Sequence, residues 1–334
     1  MLRQRRTVNA TLVLFCSAGF LALAIASAAD YPQARISNGI LRATLLPPDA
    51  ENGYYRGTRF DWSGAIASLE FQGHEYFGQW FDRYDPKIHD AIMGPVEEFL
   101  TRGAGLGYGE AKPGQSFVKI GVGAVRKPDE PQFQQFHTYD ITDNGKWTVS
   151  KAADSVEFTH EIGDTLGYSY IYKKTVRLAP GKPQMTLEHS LKNTGRKTIE
   201  TSVYEHNFYM LDRQPAGPDY SVRFPFEVHA LADLRGLAAV RGNQLTYLAE
   251  LEGGGQYVFT ELTGFGDSPR DYDIHIENRK AGIGVRQTSD RPIAKLMFWS
   301  IRSTVCPEAY IDLKIEPGQE ARWKIDYEFY TLPR

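Results

Sequence analysis

The stretch "SVYEHNFYML", which starts at Ser202, places a histidine among aromatic residues in a segment with strand character. Because successive side chains of a strand point to opposite faces, Tyr204, His206 and Phe208 share one face and the residues between them share the other. Two aromatic rings around an imidazole fit a core strand with one hydrogen-bonded polar group. They also fit the wall of a sugar site, where the rings contact the apolar face of the sugar and the imidazole transfers a proton.

Glu308, in the segment "VCPE", is the second residue with potential for proton chemistry. It precedes a strand-like stretch, where an isolated carboxylate is not needed for solubility. It can also be an exposed glutamate at a strand end, as most glutamates are exposed. A carboxylate and an imidazole together can serve as base and acid near neutral pH.

The elements that must position these residues are strands, which the alternation predicts along almost the whole chain after residue 29. Two strands are expected around Gln72-Gly73, and Pro317-Gly318 is expected to form the centre of a type II turn. In the last strand, Trp323 and every second residue after it face one way. Helical periodicity is limited to a turn near residues 91 to 101. The pattern predicts an all-β fold, a large antiparallel β-sandwich.

One segment departs from regular alternation. In "YSYIYKKTVRL", Tyr168, Tyr170 and Tyr172 share one face. The two lysines that follow are expected to change this pattern, so that Thr175 and Arg177 continue the face.

The first 28 residues have the pattern of a secretory signal peptide. Basic residues precede an apolar stretch from Ala10 to Ile25, and the small residues Ala26-Ser27-Ala28 follow. We expect cleavage after Ala28 or Ala29 and a periplasmic or secreted product, which N-terminal sequencing of the exported protein would test. The remaining residues, 29 to 334, are expected to form a single β-sandwich domain.

Charge and cysteine content narrow the class of partner. Removal of the signal takes away three arginines and no acid, so the formal charge of −3 becomes about −6. Neither nucleic acid nor an anionic membrane surface is therefore an expected partner. Cys16 is lost with the signal, so Cys306 alone remains and the mature chain forms no internal disulfide.

Several other motifs lack the spacing or context that a phosphate-binding, metal or nucleophilic site requires. "GAGLGYG", from Gly103 to Gly109, lacks the strand-to-helix context of a phosphate loop. His74, His89 and His137 are too widely spaced for a zinc motif, so no metal site is predicted. No serine lies in a nucleophile elbow.

An aromatic strand with a central histidine, followed about a hundred residues later by "VCPE" and "KIEPGQEARWKIDYEF", resembles the galactose mutarotase (aldose 1-epimerase) superfamily. The resemblance is clearest between Tyr168 and Tyr330. The early "N-x-LHGG" element of that family has no counterpart here, where the chain reads "FDRYDPKIHDAIMGPVEEFLTRGAGLGYGE". The resemblance implies a sandwich fold and the interconversion of sugar anomers.

The resemblance also implies roles for individual residues. Glu308 becomes the base and His206 the acid, on opposite sides of one sugar ring, and no cofactor is needed. The expected partner is a small carbohydrate or the sugar end of an oligosaccharide. Tyr204 and Phe208 are expected to stack on the sugar. Further candidates for hydroxyl recognition are Arg59, Arg83, His89, the Glu97-Glu98 pair with Glu98 preferred, and Asp271, which alternation does not distinguish from Asp273.

Two other classes stay open. A polysaccharide lyase on the same fold would use His206 or a tyrosine to abstract a proton beside a uronate carboxylate, with the charge neutralised by a cation such as Lys119. A non-catalytic sugar-binding protein would keep the pocket without the chemistry.

Overall fold

The computed structural model describes residues 30 to 333, which form strands joined by loops and two short 3-10 helices, Leu211–Arg213 and Pro269–Asp271. In chain order the strands are β1 Ala34–Ser37, β2 Leu41–Leu46, β3 Ala65–Phe71, β4 His74–Glu75, β5 Val96–Leu100, β6 Ser116–Lys119, β7 Gly123–Arg126, β8 Ile141–Asp143, β9 Lys146–Lys151, β10 Ser155–Thr165, β11 Tyr168–Leu178, β12 Gln184–Asn193, β13 Ile199–His206, β14 Tyr220–Arg223, β15 His229–Ala230, β16 Ala238–Arg241, β17 Gln244–Tyr247, β18 Val258–Thr263, β19 Asp273–Asn278, β20 Ile283–Ser289, β21 Lys295–Ile301, β22 Thr304–Ile315 and β23 Glu320–Thr331.

Two antiparallel sheets dominate the fold. The larger sheet has the order β16-β17-β14-β19-β20-β23-β12-β11-β10-β9, and the six-stranded sheet has the order β15-β18-β21-β22-β13-β5. Side chains from their facing surfaces meet in one apolar core. Smaller sheets, β1-β2-β3-β4 and β6-β7-β8, accompany them. The all-β sandwich prediction is confirmed.

Alternation explains why the strands bury one face. In β23 the side chains of Trp323, Ile325, Tyr327 and Phe329 are buried, as the sequence predicts, and those between them are more exposed. The predicted turns are also present. Gln72 and Gly73 both have positive φ between β3 and β4, and Gly318 has φ of 78° between β22 and β23.

In β11 the predicted break in alternation is wrong. The buried face continues from Tyr172 through Lys174 and Val176 to Leu178, while Lys173 and Arg177 are exposed. The lysine ammonium is accepted in the core because it bonds to a carboxylate there, and the strand keeps its period of two.

The predicted helical turn near residues 91 to 101 is also wrong. Val96–Leu100 is strand β5, which pairs antiparallel with β13. Its two central glutamates point to opposite faces of the sheet, and each bonds to a basic side chain there. Pairing with a neighbouring strand outweighs the local preference for a turn.

Residues 1 to 29, which contain the predicted signal peptide, lie outside the described residues, so the predicted cleavage site and domain boundary stay predictions. Among residues 30 to 333, no helix has the length and apolar character required to cross a membrane.

Candidate functional site

The candidate acid and base meet on the outer face of the six-stranded sheet, the face turned away from the larger sheet. Strand β13 pairs with β22 on one side and with β5 on the other. This pairing places the side chain of His206 beside that of Glu308, with His206 Nε2 3.3 Å from Glu308 Oε1. The next residue along the same face, Tyr204, lies opposite Glu98.

The two groups touch, so a sugar ring cannot lie between them in this arrangement. The expectation that acid and base lie on opposite sides of the ring therefore does not describe this structure. Both groups approach from one side. The anomeric oxygen and the ring oxygen of a pyranose are bonded to the same carbon, so two adjacent groups can serve both.

Aromatic side chains enclose His206. Its ring stacks on that of Phe208 at a centroid distance of 3.8 Å, and the rings of Phe60 and Trp299 approach edge-on at 5.6 and 5.4 Å. Trp80 stacks on the far side of Phe208. Phe208 follows the end of β13 with a φ of 48°, so its stacking on His206 comes from this bend and not from strand alternation. His206 and Trp80 cover the two faces of the Phe208 ring, which leaves neither face open to a sugar in this arrangement. The rings form an aromatic wall in which the imidazole is almost fully buried.

Burial decides the protonation of this pair. It lowers the pKa of His206 well below its usual 6.5, and the Arg59 guanidinium acts in the same direction. Burial raises the pKa of Glu308 to about 8, against an opposing effect of Arg59. Burial thus disfavours the charged form of both groups, and at neutral pH these shifts favour a protonated carboxyl group beside a neutral imidazole. An imidazolium at rest, which the assigned roles require, is not favoured.

Arg59, Glu98 and Tyr204 form a second polar group beside the pair. Arg59 Nε donates to Glu98 Oε2 at 2.9 Å, and Tyr204 OH donates to the same oxygen at 2.5 Å. Gln135 Nε2 adds a hydrogen bond at 2.9 Å. Burial would raise the pKa of Glu98, but Arg59 and Lys119 lower it below the usual value. The cluster is held by charge-assisted hydrogen bonds among its own members.

Lys119, at the end of β6, adds a buried positive charge to this cluster. Burial lowers its pKa, and Glu98 opposes that effect. Its Nζ lies 5.4 Å from the ring centroid of Phe133 and has no hydrogen-bond partner among the described residues.

The other predicted substrate contacts are spread more widely. His89 is partly buried at the border of the cluster, where its ring packs on Phe136 at 4.8 Å; Phe136 also lies under Arg59. Arg83 is exposed in the loop between β4 and β5. Asp271 lies in the 3-10 helix before β19 and accepts a hydrogen bond from Gly266 of its own loop at 2.6 Å.

The sequence suggested that Asp271 and Asp273 share a strand. The structure places them in different elements. Only Asp273 belongs to β19, and its carboxylate binds Arg286 through two contacts of 2.7 Å. The structure connects neither aspartate with the His206–Glu308 pair through a hydrogen bond among the described residues.

The inner face of the same sheet carries a separate buried network. Glu97 Oε2 accepts from Lys174 Nζ at 2.5 Å, and Glu97 Oε1 lies 2.8 Å from His189 Nε2. Burial and Glu97 raise the pKa of nearby Glu205 to about 8, while Lys174 and His189 help to hold that of Glu97 at about 2. Glu97 thus belongs to the core and not to the Arg59–Glu98–Tyr204 cluster.

Glu97, His189 and Glu205 have the side-chain types of a metal site, and their potential ligand atoms lie within 4.8 Å of one another. The ammonium of Lys174 already supplies a positive charge to Glu97 at hydrogen-bonding distance. A dication in the same place would be repelled by it. The arrangement fits an ion-pair network better than a metal centre.

Sequence reasoning missed two residues of the outer face. Tyr310 stacks on Tyr204 at 4.3 Å, and Trp299 contacts His206. Tyr310 is two residues after Glu308, so alternation carried a signal for it. Trp299 is on β21, and which strand lies beside β22 cannot be read from the sequence.

The large surface grooves lie elsewhere. One of about 660 Å³ crosses the outward side of the ten-stranded sheet near Lys173 and Arg322, and one of about 740 Å³ is lined by the loop from Thr101 to Glu110. The latter includes part of "GAGLGYG", which forms bridges and turns. Neither groove is lined by His206 or Glu308, whose side chains are 4% and 7% exposed.

Comparison with solved structures identifies the architecture. The "GalM/aldose Epimerase Homologue" from C. elegans aligns with a TM-score of 0.57 at 15% identity, over 90% of this chain and 99% of that one. A galactose mutarotase-like protein from Lactobacillus casei aligns with a TM-score of 0.54 at 14% identity, over 90% and 100%. The chain has the galactose mutarotase-like fold. The Slr1438 protein from Synechocystis, with a TM-score of 0.57 at 13% identity over 90% and 96% of the chains, is also similar to it.

Sequence comparison adds nothing to this structural result. No family model matches the chain, and a search of curated proteins finds no match. The structural matches establish the galactose mutarotase-like fold. Because the sequence identity is so low, activity must be argued from the site.

Proposed function

We propose that this protein is an aldose 1-epimerase-like enzyme that interconverts the anomers of a sugar by acid–base ring opening. The observation that carries the proposal is the His206–Glu308 contact of 3.3 Å, which is enclosed by aromatic rings and flanked by the Arg59–Glu98–Tyr204 cluster. The fold supports it, since structural neighbours are described as aldose epimerase or galactose mutarotase-like proteins.

In the reaction we propose, one group of the pair protonates the ring oxygen while the other removes the proton of the anomeric hydroxyl. The bond between C1 and the ring oxygen breaks, and a carbonyl forms at C1. Rotation about the C1–C2 bond then presents the opposite face, and the reverse transfers close the ring. In the resting state Glu308 holds the proton, so it is the acid and His206 the base.

This distribution reverses the roles that the family resemblance suggests. The two assignments differ by one proton moved across the His206–Glu308 contact, and both require that the pair carry a single proton. Arg59, Glu98 and Tyr204 would orient the sugar hydroxyls. The proposed partner is thus a small carbohydrate, and the signal-like N-terminus supports a site of action in the periplasm or outside the cell.

The single proton predicts the pH dependence of the rate. Above about pH 8 the carboxyl group of Glu308 loses its proton, and the pair has none to give to the ring oxygen. We expect kcat/KM, which reports ionisation of the free enzyme, to fall about tenfold per pH unit there, after subtraction of base-catalysed mutarotation. The Glu308→Gln variant should lack this alkaline decline. A wild-type rate that rises steadily to pH 10 would rule out the protonated carboxyl as acid.

A polysaccharide lyase is the alternative that Arg59 and Lys119 favour, because both are cations near the candidate pair. Such an enzyme needs a cation free to bind the uronate carboxylate. Arg59 is already paired with Glu98, and the structural neighbours are described as aldose epimerase or galactose mutarotase-like proteins, which makes this function the weaker candidate.

Polarimetry separates these functions. Freshly dissolved α-glucose, α-galactose and other aldoses should reach equilibrium rotation faster with the protein than without it. Uronate polymers should give no new ultraviolet absorbance, because no double bond forms. Absorbance growth without faster mutarotation would favour the lyase, and binding without either reaction would favour a non-catalytic sugar-binding protein.

A further inference from the structure

The outer face of the six-stranded sheet continues beyond the candidate site toward its edge. Cys306 on β22 lies directly opposite Trp299 on β21, and Trp299 lies directly opposite Phe259 on β18. Residues opposite each other in an antiparallel pair point to the same face. Trp299 and Phe259 are therefore neighbours on the face that carries His206 and Glu308.

Exposure increases along this row. Cys306 is fully buried, Trp299 is partly exposed, and Phe259 is 52% exposed. Alternate residues of β18, such as Val258, are buried in the core. The aromatic ring of Phe259 is thus presented to solvent by a strand whose other face is fixed in the sandwich.

The row begins at the candidate site itself. The ring of Trp299 lies 5.4 Å from that of His206, and Phe259 is one strand farther on. Neighbouring strands are about 4.8 Å apart, which is comparable with the length of one sugar residue in a chain. Two successive aromatic residues at this spacing can each face one ring of a sugar chain.

Polar side chains accompany the aromatic ones on the same face. Glu261 lies opposite Met297, which lies opposite Glu308, and Lys295 lies opposite Tyr310. Lys295 is exposed and Glu261 partly exposed, so both are available to hydroxyl groups. A mixture of aromatic platforms and scattered polar groups of both signs suits a neutral carbohydrate better than a charged partner.

We propose that this row is an extended binding site for a neutral oligosaccharide. The reducing-end ring lies against the side chains of His206 and Glu308. The next ring packs on Trp299, and a further ring packs on Phe259. Only the reducing end has a free anomeric hydroxyl, which fixes the direction of the chain. The position of the reducing end rests on the proposed function, whereas the binding of the chain does not.

The test measures binding and rate against chain length. Isothermal titration calorimetry compares glucose with its β-1,4-linked disaccharide and tetrasaccharide, and galactose with the corresponding galactan series. We expect at least one series to bind about tenfold more tightly when lengthened from one ring to four. Phe259→Ala should abolish this gain and leave affinity for the monosaccharide, and its rate of anomer interconversion, unchanged.

Leu248→Ala is the matched control, because Leu248 is 55% exposed and follows β17 of the other sheet. It should keep the chain-length gain. Equal affinity for one ring and four in every series, or a gain that survives Phe259→Ala, would overturn the proposal. So would a wild-type dimer that Phe259→Ala converts to monomer in sedimentation, because the face would then belong to a second copy. Chain-dependent binding without catalysed anomer interconversion would support the extended site and contradict only the proposed enzyme.

Discussion

Glu308→Gln is expected to slow anomer interconversion by about 10²- to 10⁴-fold, the usual contribution of a positioned acid or base. Glutamine has nearly the same shape as the protonated glutamic acid that we infer at neutral pH, so the fold should change little. The amide cannot deliver a proton to the ring oxygen. Initial rates by polarimetry, on the sugar that the wild type converts fastest, provide the measurement.

His206→Asn should reduce the rate by a similar factor. It should also lower stability by about 1 to 3 kcal/mol, since His206 is buried between aromatic rings. The double variant should lose far less than the product of the two single losses, because both residues act on one proton transfer. If the two losses in rate multiply, His206 and Glu308 act independently, which would contradict a shared proton transfer.

A suitable control is another buried histidine. His160 is fully buried, stacks on Trp147 at 4.2 Å and contacts Tyr170, all in the larger sheet or beside it. His160→Asn should destabilise the protein without changing the rate per folded molecule. If His206→Asn behaved in the same way, His206 would be a core residue and not part of the chemistry.

The largest effect on stability is expected from Lys174→Met. The change removes the cation that bonds Glu97 at 2.5 Å in a fully buried site and also loses its bond to the Ser63 carbonyl. An uncompensated buried carboxylate costs about 3 to 5 kcal/mol. Urea denaturation measures the loss, and adding Glu97→Gln should recover part of it because the unpaired charge is then removed.

Lys173→Met is the matched control for this experiment. Lys173 is the neighbouring residue on the exposed face of the same strand, with a surface ion pair to Glu157 of 3.8 Å. Its replacement should change the free energy of unfolding by no more than about 0.5 kcal/mol. Equal losses for the two lysines would show that the buried ion pair does not hold the two sheets together.

The sequence was sufficient for features that depend on local alternation. Period-two patterning predicts the sandwich, the buried face of β23 and the common face of Tyr204 and His206. This patterning fails where a partner distant in the sequence determines whether a side chain is buried. The lysine pair was expected to interrupt the alternation of β11, because the partner that allows Lys174 to be buried, Glu97, is 77 positions away in the chain.

The protonation of His206 and Glu308 also could not be predicted from the sequence. The charge of an imidazole or carboxyl group depends on how completely the fold removes water from it. Sequence pairs His206 with Glu308 by resemblance, but burial within the aromatic wall is what shifts the two pKa values so that a proton on the carboxyl group is favoured. Strand order likewise brings Trp299 beside His206 without any sequence signal.

The most direct test of the proposed chemistry is magnetisation exchange between the two anomers of a sugar by NMR. Saturating the α-anomer proton in the presence of wild-type protein should reduce the β-anomer signal in proportion to enzyme concentration, and Glu308→Gln should abolish that transfer. Absence of enzyme-dependent transfer across a panel of neutral and acidic mono- and oligosaccharides, or undiminished transfer with Glu308→Gln, would contradict the account.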